Sequence, residues 1–183
     1  MKDNVKFARE GFKLFHLTKL NHLTMEATTT IVEIIDYSPQ YKDYFKDLNM
    51  EWMSQFKIDN VQLAIVEHPE EQIIQKGGFI FFAEVDGKIV GTGALLRESN
   101  KLYEIAYMAV TPSYQGRHIG KSLLKKAIDK AIGAAAKQVY LVTSTKLKAS
   151  LEMYRTFGFR ESPLDPEMSV YQGSDVKMTL NLK

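Results

Sequence analysis

Cysteine is absent from the 183 residues, which excludes disulfides, thiolate metal sites and a cysteine nucleophile. Histidine is scarce as well. His16, His22, His68 and His118 stand apart without HExxH or similar ligand spacing, so no metal is expected. Neither sign of charge is in excess: a formal net charge of +2 and a pI near 8.6 supply no basic stripe, and nucleic acid is not an expected partner. No run approaches the ~20 apolar residues that a bilayer span needs, so no membrane is expected either. The opening Met1-Lys-Asp-Asn-Val-Lys-Phe-Ala-Arg-Glu10 is broken by charges where a secretory signal would be apolar, which makes the cytoplasm the expected compartment.

What is present suffices for one sizeable core. With 45% hydrophobic residues the chain reads as a single domain over 25–183, preceded by an extension over 1–24. In that extension Val5, Ala8, Phe12, Phe15 and Lys19 recur at three- and four-residue spacing, opposite Lys6, Arg9 and Lys13, which is the pattern of an amphipathic helix. Three fates stay open for it: docking on its own domain or on a second subunit of a homodimer, a disordered tail, or a membrane-surface helix.

Within the domain, residues 30–35 read as a first strand and Ser38-Pro39 as a helix start, with Tyr41, Tyr44, Phe45, Leu48 and Trp52 as its apolar stripe. A shorter helix is expected after Pro69, through Ile73 and Ile74. Strands follow at 79–85 and 88–96, joined by Asp86-Gly87, the strongest short-range signal of a hairpin because both turn residues need positive φ. A third strand is expected at 102–110. Ile119, Leu123, Leu124, Ala127, Ile128 and Ala131 then share one face of a helix ending near Gly133, residues 138–143 read as a strand, and 147–157 as a helix closed by Gly158. Phe159 and the 176–182 segment supply the last strands.

The richest stretch is Met108-Ala-Val-Thr-Pro-Ser-Tyr-Gln-Gly-Arg-His-Ile-Gly-Lys-Ser122, where an apolar strand passes through one turn into the start of an amphipathic helix. The first amides of a helix lack intrahelical partners and sit at the positive end of its dipole, so a loop folded over them can hold a phosphate. Gly116 and Gly120 remove a Cβ from the approach and relax the turn. A nucleotide P-loop does not fit: Gly120-Lys121-Ser122 supplies its second half, but Gln115 occupies the place of the leading glycine.

The segment Gln115-Gly-Arg-His-Ile-Gly120 resembles the acetyl-CoA motif [QR]-x-x-G-x-[GA] of the GNAT acetyltransferases, with His118 at the usual middle glycine. Three further pieces are similar to that family. Residues 78–91 resemble its central hairpin, Leu151-Glu-Met-Tyr-Arg-Thr-Phe-Gly-Phe159 its A-x-x-L-Y-x-x-x-G-F helix, and Glu104-Ile-Ala-Tyr-Met-Ala-Val110 the catalytic strand of its histone-acetyltransferase branch. The resemblance covers roughly 31–183, most specifically 79–159. It implies an α/β (α+β) fold, a mixed, mostly antiparallel central sheet flanked by helices in the order β-α-α-β-β-β-α-β-α-β-β.

It further implies an N-acetyltransferase that moves an acetyl group from acetyl-CoA to a primary amine of a small molecule or peptide by direct attack in a ternary complex. The pantetheine arm would lie between the strands at 104–110 and 138–143, against backbone groups of Met108, Ala109 and Val110. The pyrophosphate would take the amides from Gln115 through Gly116, Arg117, His118, Ile119 and Gly120 to Lys121, at the helix turn that also carries Ser122. Glu104 is the candidate base, expected by strand alternation to share a face with Ala106, Met108 and Val110. Otherwise it is a solvated or salt-bridged strand glutamate. Tyr154 is the candidate acid for the departing thiolate, or else an amphipathic core tyrosine with its hydroxyl at the surface.

Two positions depart from the family pattern. His118 brings a Cβ and a ring to a glycine site, where it crowds the phosphate, assists it when protonated, or is merely exposed. Leu147 stands where many members carry an asparagine near the cofactor's amide arm. A non-catalytic acyl-CoA-binding regulator is the rival reading. Tyr41, Tyr44, Trp52, Tyr171 and Asp175 are candidate lining residues of an acceptor pocket, and Asp175 is also the alternative carboxylate.

Overall fold

The structure is a computed structural model, and it describes residues 31–54, 60–164 and 174–183. The proposed extension, 1–24, and Tyr171 lie outside the described residues, as does the side chain of Trp52. Seven strands form one sheet: β1 (Val32–Asp36), β2 (Phe79–Val85), β3 (Lys88–Arg97), β4 (Leu102–Val110), β5 (Gln138–Thr143), β6 (Arg160–Ser162) and β7 (Val176–Asn181). Their spatial order is β1-β2-β3-β4-β5-β7-β6, and every neighbouring pair is antiparallel except β4 with β5.

Among the described residues four α-helices accompany the sheet: α1 (Lys42–Met53), α2 (Asn60–Glu67), α3 (Ile119–Gly133) and α4 (Lys148–Thr156). The sheet separates two apolar layers. Phe81, Ala83, Val85, Leu95, Tyr103, Ile105, Val139, Leu141 and Met178 meet α3 and α4 through Leu123, Leu124, Ala127, Leu151 and Tyr154. On the other face Ile80, Phe82 and Ala94 meet Phe45 and Met53 of α1, Val66 of α2 and Ile73. Strands buried on both faces need apolar residues at consecutive positions, which accounts for the unbroken Phe79-Ile-Phe-Phe-Ala83 run.

The local signals act as their chemistry requires. Asp86 and Gly87 both adopt positive φ, 51° and 74°, in the β2–β3 turn. Pro39 opens a 3₁₀ turn (Pro39–Tyr41) that leads into α1, whose Phe45, Leu48 and Met53 are buried at helical spacing. In α3 Ile119, Leu123, Leu124, Ala127 and Ala131 form the buried stripe, and Lys126 and Lys130 reach Asp36 of β1 at 3.1 and 2.8 Å. Gly158 closes α4 at φ 91°.

Two expectations shift. The first strand begins at Val32, not at residue 30. The second helix of the layer is α2, before Pro69, whereas Glu70–Ile74 after it is a π-helical turn. Proline carries no N–H, so the ladder lacks a donor at Pro69; Gln72 N still reaches His68 O at 2.9 Å, and wider bonds follow from Gln75 N to Glu70 O at 2.8 Å and from Gly78 N to Ile73 O at 2.9 Å.

Candidate active site

The site begins where β4 parts from β5. Their parallel ladder contains only Leu102↔Gln138, Tyr103↔Val139 and Glu104↔Tyr140, although β4 continues to Val110 and β5 to Thr143. Among the described residues no strand pairs with β4 from Ile105 onward on its β5 side. The backbone groups along that edge are therefore placed to pair with an extended ligand as a strand would.

A bulge in the β3–β4 pairing lies along the parted stretch and resets the faces. Ala94 pairs with Ala106 and Thr92 with Ala109, so the single residue Gly93 opposes both Tyr107 and Met108, and Tyr107 takes φ 52°. Alternation is broken at that point. Tyr103 and Ile105 face α3 and α4, but so do Met108 and Val110, while the Tyr107 ring lies 5.7 Å from Phe45 of α1. The expectation that Glu104 shares a face with Met108 and Val110 is thus corrected: of those residues only Ala106 lies on its side, both being paired with residues of the α1 layer.

Glu104 is 6% exposed. Burial pushes its carboxyl up to about 7 and the negative charge of Glu98 adds to the rise, whereas the Tyr140 hydroxyl and the Lys177 ammonium act against it. The Tyr140 hydroxyl stands 3.5 Å from Oε2 of Glu104, and Lys177 Nζ lies 4.9 Å from the centroid of the Tyr140 ring. Pattern reasoning does not find Tyr140 or Lys177. Alternation marks Tyr140 as opposite in face to Val139 and Leu141, but nothing local tells which strands flank β5.

Beyond β4, the 3₁₀ turn Pro112–Tyr114 leads to the loop before α3. Gly116 and His118 both adopt positive φ, 76° and 63°, with Arg117 between them not doing so. Successive amides in such alternating conformation form a concave nest for an anion. Among the described residues no backbone carbonyl accepts from the amides of 116–121, and Ser122 N makes the first bond of the helix, to His118 O at 3.1 Å. Gly120 contributes space: a Cβ there would meet only the Met153 sulfur, at 3.8 Å.

Other expected contacts are redistributed. Gln115 braces the loop, its amide donating to Pro112 O at 3.2 Å and its side chain to Val110 O at 3.0 Å, so its N–H does not join the nest. Ser122 N–H is likewise taken by the helix. Ile119 is 1% exposed and serves the core with its side chain, leaving its backbone to the loop. Arg117 lies over the Tyr114 ring at 5.0 Å. His118 takes the left-handed conformation that its place in the motif usually assigns to glycine.

Tyr154 is buried on the α3–α4 face, 6.0 Å from the Phe159 ring, and burial raises its phenol to about 12, so it keeps its proton at neutral pH. Asp175, by contrast, is committed. The Thr145 hydroxyl and amide bind its two oxygens at 2.5 and 2.6 Å and hold the carboxyl below the usual carboxylate range, which unfits it as a base near neutrality. No helix among the described residues is long and apolar enough to cross a membrane.

Known proteins resemble this chain in sequence and in fold. The sequence model described as the Acetyltransferase (GNAT) family matches residues 38–159. The chain is 38% identical over 73 residues to the N-alpha-acetyltransferase RimI of Mycobacterium tuberculosis, a match covering 40% of this chain and 44% of that protein. Less than half the length of that curated relative is therefore spanned. A crystal structure of an acetyltransferase of the GNAT family from Staphylococcus aureus superposes with TM-score 0.73 at 27% identity, covering 84% of this chain and all of the other. A GNAT family acetyltransferase from Elizabethkingia anophelis, with acetyl-CoA bound, is alike in fold, with TM-score 0.58 at 19% identity over 82% of this chain and 98% of the other.

Proposed function

The chain belongs to the GNAT acetyltransferase family, and on that premise we propose that it transfers an acetyl group from acetyl-CoA to a primary amine of a small molecule or peptide, by direct attack within a ternary complex. One observation carries the reading. The unpaired edge of β4 begins one residue after the buried Glu104 and runs to Val110, from which the chain passes directly into the loop that carries the amide nest of Gly116–Lys121. The residues present suit the cofactor: a nest with six amides for a pyrophosphate, a clear space at Gly120, and a strand edge for the amides of a pantetheine arm.

Acetyl-CoA, when bound, supplies an acyl thioester already activated for attack. The protein's own groups would do the rest. Glu104, facing the α1 layer, takes a proton from the acceptor's ammonium, directly or through a water, so that nitrogen can attack. A backbone N–H near Met108 or Ala109 stabilises the oxyanion on the thioester carbonyl. Tyr154, on the opposite face, returns a proton to the departing sulfur. The two proton-transferring groups lie on opposite faces of the sheet, so the amine would arrive on one and the thiol leave on the other. Absence of cysteine excludes an acetyl-thioenzyme relay.

The test has two arms. CoA at millimolar concentration should raise the melting temperature, since a ligand bound to the native state stabilises it by RT ln(1 + [L]/Kd). Acetyl-CoA with a panel of primary amines should release free thiol. No thermal shift would overturn the cofactor assignment; a shift without turnover on any amine would replace catalysis by acyl-CoA-dependent regulation.

A further inference from the structure

Glu104 faces a difficulty that its own strand does not resolve. A carboxylate almost wholly removed from water favours its neutral form, and a neutral acid accepts no proton. Glu98, in the turn just after β3, makes this worse by like charge. Compensation must come from another element, and β5 and β7 provide it.

We infer that Tyr140 and Lys177 are positioning residues for Glu104: Tyr140 orients the carboxylate from the last rung of the β4–β5 ladder, and Lys177, seated on the Tyr140 ring, supplies positive charge that favours its ionised form. The inference rests on the reading of Glu104 as the base. Tyr140 is 4% exposed and is the direct Cα partner of Glu104, which brings its phenol beside the carboxylate in a buried setting. Its hydroxyl stands 3.5 Å from Oε2, a long hydrogen bond of the kind that tightens in a catalytic site when substrate closes it. By directing Oε2 toward β5 it fixes the orientation of Oε1. Lys177 of β7 lies 4.9 Å from the ring centroid, within cation–π range, which holds the ammonium over the same corner of the sheet. Among the described residues, Glu98, Tyr140 and Lys177 are the titratable groups whose charge or proton acts on Glu104.

Tyr140→Phe keeps the ring and its cation but removes the donor, whereas Lys177→Met removes the charge and retains most of the stem. Protein carrying ¹³C at the glutamate carboxyls reports the titration of Glu104 directly, its resonance being assigned by its loss in Glu104→Gln. The titration midpoint should rise by about 1 pH unit in either variant, and Lys177→Arg should restore it. The acid limb of kcat/KM, measured with the amine that gives most thiol release, should move with it, while the CoA-induced thermal shift stays as in the wild type. A midpoint unmoved in both Tyr140→Phe and Lys177→Met overturns this inference and leaves the base assignment intact. A midpoint that moves while the kinetic limb does not, or a limb that survives in Glu104→Gln, overturns the base assignment and the inference with it.

Discussion

Glu104 and Met108 stand four residues apart on β4 and point to opposite faces of the sheet, because Tyr107 between them takes φ 52° against the lone Gly93. One strand thereby serves both sides of the gap. It offers a carboxylate toward α1 and an apolar wall of Met108 and Val110 toward α3 and α4. Deleting Tyr107 should remove the bulge, leaving Met108 and Val110 on the same face opposite Gly93 and Gly91 while straightening the strand beside the gap. The expected result is a folded protein by circular dichroism that has lost its thermal response to CoA. Tyr107→Gly is the companion variant: it suits the positive φ and keeps the bulge, so it should be less stable through loss of ring packing on Phe45 yet still respond to CoA. Retention of the response in the deletion would show that the bulge does not shape the cofactor side.

Gly120 lies where the first turn of α3 faces Met153, with open space at its Cβ. Gly120→Glu should therefore fold normally, its carboxylate lying among the amides that would receive the pyrophosphate. Affinity for CoA by calorimetry should fall on the order of 100-fold, about 2.7 kcal/mol, while Gly120→Ala stays near the wild type. Equal affinity in Gly120→Glu places the phosphates elsewhere.

His118 occupies a left-handed conformation, φ 63°, without glycine's freedom. Such backbone costs an L-residue roughly 1–2 kcal/mol, so His118→Gly should gain part of that, offset by glycine's greater entropy in the unfolded chain. A rise of about 2–4 °C in melting temperature would correspond to a net gain of about 1 kcal/mol. The same variant separates backbone from side chain in the cradle. Unchanged CoA affinity assigns the site to amides alone, and weaker binding assigns the imidazole a share.

The parts of this fold that were legible are those whose causes are local. Asp86-Gly87 announces its turn through the φ demand on two adjacent residues, and the α3 stripe announces a helix through spacing. Helix α2 was not legible, since Val61-Gln-Leu-Ala-Ile-Val66 is too nearly continuous in apolar residues to display a helical period, and Pro69 draws the eye to the wrong side. The bulge was hidden for a different reason: Tyr107 is neither glycine nor asparagine, and its φ is imposed by pairing with β3. Of the candidate site, the glycine loop and Glu104 could be read from the chain. The company of Glu104 could not, because Tyr140 and Lys177 lie 36 and 73 positions downstream (140 − 104; 177 − 104) and meet it only through sheet order.

Glu104 also predicts how stability should answer to pH. Its carboxyl is pushed up to about 7 by burial, from an ordinary value of 4.5, so between those values the folded protein holds a proton that the unfolded chain has released. Where the native state binds more protons, stability falls as pH rises. The neutral form's contribution is complete below about pH 4.5 and is lost progressively up to about pH 7, with a total on the order of 3 kcal/mol. Glu104→Gln keeps the shape without the titration. Denaturant unfolding should find the two proteins alike at pH 4.5 and the glutamine variant more stable at pH 8. Turnover should run the other way, with kcat lower by roughly 10²- to 10⁴-fold in the variant at pH 8 and partly recovered at higher pH, as more of the acceptor amine arrives neutral. A stability difference that does not change between pH 4.5 and 8 would mean that Glu104 does not titrate in this window. The opposed signs are the diagnostic: a carboxylate kept for packing gains nothing from a charge that weakens the fold, whereas a base needs that charge at the pH where it acts.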